Sequence, residues 1–446
     1  MDGAARDRFR TAEGPPGSAS GRQRIPGSLY AVTLAQYAIG GAFLPFITLY
    51  FRDRGLSYSE LGWVYLVSSA STSTLPFLWG WLADRFVRLE KLLVALHAAG
   101  AAALLLLSFP TGFLSSLALF AIAVGILLPA GPLLNALSYH HIARPERDFA
   151  RLRALGSAGW MAPSLPIYLW LAWGRSLDLA FTVRLSAAIQ TATAVFCSRL
   201  PRTPPGAARH GHRGEKSSYR DALRRLLARR GFARFLAIVF LTHGSFGIFF
   251  YYSAPLLEAS GFDRRWIGPL QSIGVAVEVG ACFLIPRFVE RLGYGLTISI
   301  GCGALFVRQL LCAASDSAAL LAASYVLSGI CVVFYMVAGS MALDAMAEKE
   351  VRATAQSVFA VLGQGLGQMA SHQVAGSIAD DAALGLRAVF AFAAAAAGAA
   401  TAIALTLARP GTFRRWRGEE AQRASSRGGP APPPAPAETG GSPTGG

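Results

Sequence analysis

The sequence predicts an all-α membrane protein, with twelve transmembrane helices in two pseudo-symmetric six-helix bundles. Three observations carry that prediction. Of 446 residues, 53% are hydrophobic and only 15% charged, whereas soluble domains carry roughly a quarter charged residues. Lys and Arg gather between the apolar runs rather than within them, so the formal net charge of +16 reads as a topology signal and not as a nucleic-acid footprint. Finally, landmarks of the first half recur in the second.

Taken in order, residues 1–27 are polar and rich in Gly, Pro and Arg. They read as a disordered cytoplasmic N-tail without the apolar core of a cleavable signal. Runs 28–51, 59–82, 90–109, 113–138, 153–173 and 177–198 (spans 1–6) make the N-terminal six-helix bundle, 28–198. Each approaches or exceeds the roughly 20 residues that a helix needs to cross hydrocarbon. Residues 199–232 form a basic cytoplasmic linker, within which 219–230 (YRDALRRLLARR) has the pattern of a surface-lying amphipathic helix. Runs 233–257, 266–289, 293–313, 317–343, 354–378 and 384–408 (spans 7–12) make the C-terminal bundle, 233–408. Residues 409–446 are basic and then Pro/Ala/Gly-rich, the composition of a disordered tail.

With both termini in the cytoplasm, the inside segments hold 33 Lys and Arg and the outside loops 6. That asymmetry sets the expected orientation. The repeat has three landmarks. Gly55-Leu56 followed by Leu61-Gly62 matches Gly261-Phe262 followed by Ile267-Gly268. Arg85-Phe86-Val87 matches Arg287-Phe288-Val289, and Arg147 with Ala150-Arg151 matches Arg352 with Ala355-Gln356. All three recur at nearly one offset, which predicts two halves in parallel orientation.

Two ionisable residues interrupt apolar runs of the second half: Glu278 in VAVEVG and Arg308 in LFVRQL. A charge at mid-membrane costs roughly 2.5–3.5 kcal/mol on insertion scales, so it faces a partner or a watery cavity. Other cavity candidates are Gln36 and Tyr37 in span 1, Asn135 in span 4, His243 in span 7, Gln271 in span 8, Gln309 in span 9, Tyr335 in span 10, and Gln364 and Gln368 in span 11. The bland alternative for each is an interhelical hydrogen bond, worth about 0.6 kcal/mol. Cys197, Cys282, Cys302, Cys312 and Cys331 read as small packing residues. No metal-type Cys/His spacing occurs, and neither a metal nor a cofactor is expected.

Gly80-Trp81-Leu82-Ala83-Asp84-Arg85, with Arg88 beyond, closes span 2. It resembles the loop between spans 2 and 3 of the major facilitator superfamily, Gly-x-x-x-Asp-Arg-x-Gly-Arg, with Val87 replacing the second glycine. The resemblance implies that Gly80, Asp84, Arg85 and Arg88 form a cytoplasmic gate. Phe149-Ala150-Arg151-Leu152-Arg153-Ala154-Leu155-Gly156-Ser157-Ala158-Gly159-Trp160 resembles the Tyr-Gly-Arg-x-Arg-x-x-Gly-Ser-x-Gly-Phe signature of the phenylpropionate-permease-like and nucleoside:proton-symporter-like branch, related to oligosaccharide:proton symporters. Arg151, Arg153, Gly156, Ser157 and Gly159 carry that match. The branch often has a histidine in span 10. Here the span has none, and Asp344 stands at its end.

The resemblance implies a secondary transporter in which two bundles rock around a midplane site, moving a small organic solute with protons. The expected surroundings are the lipid bilayer of a bacterial inner membrane; the expected state is a monomer that binds no nucleic acid. Burial favours the neutral form of a carboxyl, which makes Glu278 the expected proton carrier, with Arg308 stabilising its anion or holding an anionic solute. An aromatic acid, a nucleoside and a sugar all remain open. The alternative is a non-transporting sensor or receptor on the same scaffold. No nucleotide-binding glycine loop and no hydrolase triad is present.

Overall fold

The computed structural model describes residues 25–110, 112–142, 145–174, 178–205, 224, 228, 231–347 and 352–408. The expected N-tail up to residue 24, the 219–230 helix apart from Arg224 and Ala228, and the tail 409–446 lie outside them.

Every regular element among the described residues is a helix, and all twelve expected spans are helical. Eight are long and apolar enough to cross a membrane: Gly27–Asp53, Leu89–Leu107, Phe113–His141, Ala180–Cys197, Phe232–Ala259, Ile285–Ala314, Ala318–Met346 and Gly385–Leu407. The other four are span 2 (Tyr58–Arg85), span 5 (Pro145–Met161 and Ser164–Trp173), span 8 (Ile267–Cys282) and span 11 (Arg352–Ala360, Val361–Gly367 and Gln368–Asp380). These four bring the two halves together, span 2 against span 11 and span 5 against span 8. Span 8 misses by length, at 16 residues, and span 5 because Ala162-Pro163 divides it, while spans 2 and 11 carry the small and polar residues of helices that face the route between two bundles.

The repeat is physical. Span 3 packs on span 6 as span 9 packs on span 12, span 2 on span 4 as span 8 on span 10, and span 1 on span 5 as span 7 on span 11. Gly55 and Gly261 hold φ of 84° and 81°. Each ends its helix with the same pair of hydrogen bonds: Gly55 and Leu56 N–H donate to Arg52 and Phe51, and Gly261 and Phe262 N–H donate to Glu258 and Leu257. This left-handed cap requires glycine at both places. Two residues later a side chain caps the next helix, Ser57 in the first half and Asp263 in the second. The Arg265 side chain, hydrogen-bonded to Asp263, holds that carboxyl below the usual carboxylate range.

Proline sets several breaks. Span 1 passes through a 3-10 turn, Leu44–Phe46, at Pro45, and span 5 breaks beside Pro163. Two boundaries differ from expectation. Span 5 begins at Pro145 rather than 153, so Arg153 lies about two turns inside the helix and not at its start. Span 8 ends at Cys282 rather than 289. A new helix starts at Ile285-Pro286, proline being suited to a first turn, and bends at Gly293 (φ 75°).

The two ends of the bundle differ. Call the end where the described chain starts and stops the terminus face and the opposite end the far face. At the far face one continuous core, including Phe51, Leu61, Leu107, Tyr252, Leu257 and Val389, joins both halves. Toward the terminus face the core splits in two. Leu93, Leu134 and Cys197 belong to the first half, and Phe235, Ile298 and Leu343 to the second. Polar contacts seal the far face. Arg264 Nη1 donates to Asp53 Oδ2 at 2.8 Å and its Nε to Glu258 Oε1 at 2.7 Å. Asp380 accepts from the N–H groups of Tyr58 and Ser59 at 2.9 and 2.6 Å. The halves therefore meet at the far face and part toward the other.

Glycines set how closely span 1 and span 5 approach. A Cβ on Gly159 would collide with the Leu34 carbonyl oxygen, while one on Gly80 would meet nothing within 4 Å. Gly159→Ala is expected to destabilise the purified protein by about 1–3 kcal/mol, because backbone cannot move aside as a side chain can. Gly80→Ala should leave thermal unfolding in detergent unchanged. Equal unfolding temperatures for the two variants would refute this account of the span 1–span 5 contact.

Candidate functional site

Where the halves part lies a cavity of about 190 Å³. Span 5 supplies one wall through helical periodicity. Arg153, Ser157 and Trp160, at i, i+4 and i+7, share the face that lines the cavity. The glycines between them turn to span 1: a Cβ on Gly156 would fall 2.8 Å from the Tyr37 ring, and Gly159 abuts Leu34. The signature thus has two faces, one for the cavity and one for backbone approach. Arg151 is exposed and outside the cavity.

Span 8 supplies the facing wall in the same way, with Gln271, Gly274, Val275 and Glu278 on one stripe. Gly274 admits span 10, since a Cβ there would lie 2.7 Å from Ser328 Oγ. Span 10 then winds into a π-helix, Val332–Val337, beginning at a cavity residue; such local unwinding recurs at functional sites.

Arg153 Nη2 lies 3.4 Å from Glu278 Oε1, a cation of the first half against a carboxylate of the second. Arg153 also reaches Ser157 Oγ at 3.3 Å and stands 5.4 Å from the Tyr37 ring centroid. Its side chain is 48% exposed and that of Glu278 17%, so the pair sits at the edge of the watery space. The rings of Tyr37, Trp160, Phe246, Phe249 and Phe250 make the rest of the wall largely aromatic. Such a site can hold a flat solute between rings and change its own charge by exchanging an ion pair for a proton.

A family model described as Nucleoside H+ symporter matches residues 25–412. The chain belongs to the nucleoside H+ symporter family. The maltose permease of Geobacillus stearothermophilus is 26% identical, covering 83% of this chain and 91% of its own. Nucleoside permease NupG of Escherichia coli (strain K12) is 23% identical, covering 79% and 87%. The crystal structure of nucleoside transporter NupG matches with a TM-score of 0.72 at 20% identity, over 87% of this chain and 98% of that one. That likeness shows the fold, which is the major facilitator fold. As a member of the family, the chain is an integral membrane protein and a proton-coupled secondary transporter, not an enzyme.

Within this symporter the sequence candidates separate. Tyr37, Gln271 and Glu278 line the cavity. Gln36 instead donates to the Leu127 carbonyl at 2.8 Å, and Gln309 to the Ser245 carbonyl at 2.7 Å, both interhelical bonds within a half. His243 Nδ1 and Tyr335 Oη are 2.7 Å apart inside the second half. Asn135 is half-buried near the terminus-face end of span 4, Gln364 is exposed on span 11, and Gln368 packs beside Gly247. None of these seven lines the cavity.

Arg308 does not reach Glu278. It is fully buried in the far-face half of span 9, 3.7 Å from the Phe249 ring centroid and 4.8 Å from that of Tyr325. Arg308 is not among the cavity-lining residues; it stacks on Phe249, whose ring is part of the cavity wall. Asp344 is held by Gln356 Nε2 at 2.8 Å, away from the cavity. At the end of span 2, Gly80 faces open space and Asp84 is half-buried. Arg85 is exposed, and Arg88 pairs with Glu90 at 3.1 Å. Glu90 also accepts from the Thr203 N–H at 3.0 Å, an anchor for the chain leaving span 6 that sequence reading missed. Four of the five cysteines are buried as expected, but Cys282 is exposed. It lies one turn beyond Glu278, where the helix ends and packing stops.

Proposed function

We propose that this symporter moves nucleosides with protons, rocking its halves around the Arg153–Glu278 cavity. The observation that carries the reading is that ion pair, made between the two halves inside an aromatic-walled cavity. Flat rings stack a nucleobase, while Ser157, Gln271 and Ser328 offer donors and acceptors to a base edge or a ribose. Glu278 trades the Arg153 cation for a proton as the halves move, which ties proton transit to the change of access. The nucleoside permeases among the relatives support the substrate class.

In this reading the protein crosses a bacterial inner membrane twelve times, as bundles 28–198 and 233–408 joined by the basic linker 199–232, and works as a monomer. The charge asymmetry of 33 to 6 supports a cytoplasmic terminus face. The open end is then the cytoplasmic one, and the conformation is inward-open. Gly80, Asp84, Arg85 and Arg88 form the gate that closes this face in the opposite state.

Transport by the full chain in proteoliposomes tests the proposal. An inward proton gradient should drive uridine above its equilibrium level, a protonophore should abolish the accumulation, and unlabelled xanthosine should compete. Maltose accumulation that nucleosides do not inhibit would overturn the substrate class. Uridine uptake indifferent to the protonophore would overturn the role of Glu278 as proton carrier.

A further inference from the structure

Among the described residues, three histidines are fully or almost fully buried. His97 lies on span 3 within the first half, and His243 is hydrogen-bonded within the second. His372, on span 11, alone lies between the halves. A Cβ on Gly62 of span 2 would fall 2.9 Å from the His372 carbonyl oxygen, so the two backbones touch there. The imidazole packs edge-on against Tyr65 of span 2 and Tyr251 of span 7, at centroid distances of 5.5 and 5.2 Å. Those two phenol rings stack on each other at 4.0 Å, and Thr48 of span 1 joins them, 2.7 Å from Tyr65 Oη and 2.5 Å from the Tyr251 carbonyl oxygen. Four helices from both halves thus close over His372, about 12 Å from the far-face end of span 11 by helix rise.

Neither ring nitrogen of His372 has a hydrogen-bond partner among the described residues, and the side chain is 0% exposed. The titratable groups facing it are phenols: Tyr65 from span 2 and Tyr251 from span 7, with Tyr252 and Tyr58 behind them. On its own span the next charged residue toward the far face is Asp380, about two turns away, and the Asp53–Arg264–Glu258 group lies at the rim. An imidazolium enclosed by these rings would have neither an acceptor nor a counterion. Opening the far face has to separate span 2 from span 11, and that separation brings His372 into water.

We infer that His372 is a proton-binding residue of the far-face gate, neutral while the gate is closed and free to take a proton from far-face water once it opens. This rests on the alternating-access reading above and adds to it a second proton site, distinct from the Glu278 pair. The sign follows from linkage. The open state binds a proton that the closed state excludes, so acid favours opening. With an ordinary solvated imidazole value near 6.5, the ratio of open to closed protein should rise by up to about tenfold per pH unit below that value.

The test measures the far-face distance between spin labels at Leu114→Cys and Ala382→Cys in a Cys282→Ser background of the full chain, by double electron–electron resonance from pH 7.5 to 5.5. Read in the Glu278→Gln background, so that the cavity carboxylate no longer titrates, the expected result is a long-distance population that grows with acid, still does so with His97→Gln added, and ceases to do so with either His372→Gln or His372→Asn added. A distance indifferent to pH overturns the inference, as does a response that survives in either His372 variant. A response lost in Glu278→Gln or His97→Gln also overturns it, by assigning the proton elsewhere. Should neither His372 variant fold, those two control arms still decide. Uridine serves as the separate check on the frame. A distance that answers uridine but not pH sinks the gate histidine alone, whereas one that answers neither sinks alternating access.

Discussion

Glu278→Gln is expected to abolish proton-driven uridine accumulation while leaving exchange of labelled for unlabelled uridine largely intact. Glutamine keeps the size of the side chain and a group able to meet Arg153 Nη2, which lies 3.4 Å from the carboxylate. What it removes is the charge that a proton can neutralise. Exchange needs the loaded carrier only to reorient and to release solute, so it does not require the proton to leave. The variant should fold. A partly exposed ion pair contributes about 0–1 kcal/mol to stability, and half of the Arg153 side chain is open to the cavity. The two assays on one preparation separate the outcomes. Loss of both would make Glu278 a solute-binding or structural residue, and retention of both would mean that it carries no proton.

The second large effect concerns Arg308. Its guanidinium lies against the Phe249 and Tyr325 rings, with a long contact of 3.4 Å from Nη2 to Ser253 Oγ, and Nε has no partner among the described residues. A planar cation can stack on both rings at once; a lysine ammonium cannot, and it needs hydration that the site does not offer. Arg308→Lys is therefore expected to lower stability by about 2 kcal/mol, the scale of a desolvated cation–π contact. Arg308→Met removes a buried charge and retains a long flexible side chain, a change that is often neutral or stabilising. It should nevertheless weaken uridine binding about tenfold, because Phe249, a cavity wall, loses the group behind it. Thermal unfolding and titration calorimetry on the two variants check this. Wild-type stability and affinity in Arg308→Lys would remove stacking from the account.

These results mark where sequence reasoning reached and where it stopped. Glu278 was legible because a lone carboxylate in an apolar run needs an environment. Its partner was not. Arg308 offered the nearest buried cation along the chain, only 30 positions away, whereas Arg153 lies 125 positions away in the other half. Arg153 also stood at the first position of the expected span 5, where a cation reads as a topology signal rather than as a cavity residue. The signal that finds it is the stripe Arg153, Ser157, Trp160, three residues at helical spacing within the branch signature. His372 left no signal beyond being one polar residue among several in span 11. The halves bury it by meeting there.

The sequence by itself determined the class of the protein: all-helical, membrane-embedded, built of two related halves, and a member of a proton-coupled transporter family. Those properties are sums and periodicities along one chain. Apolar length sets which segments leave water, and paired landmarks such as Gly55 and Gly261 recur because each half must cap the same helix in the same way. Tertiary structure decided which charges meet, which polar side chains are spent on holding helices together, and which end is shut. Such facts depend on how one bundle rests against the other. Of the four helices at that contact, spans 2 and 11 are rich in small and polar residues and spans 5 and 8 are broken or short, because they answer to the opposite half and to the space between rather than to lipid.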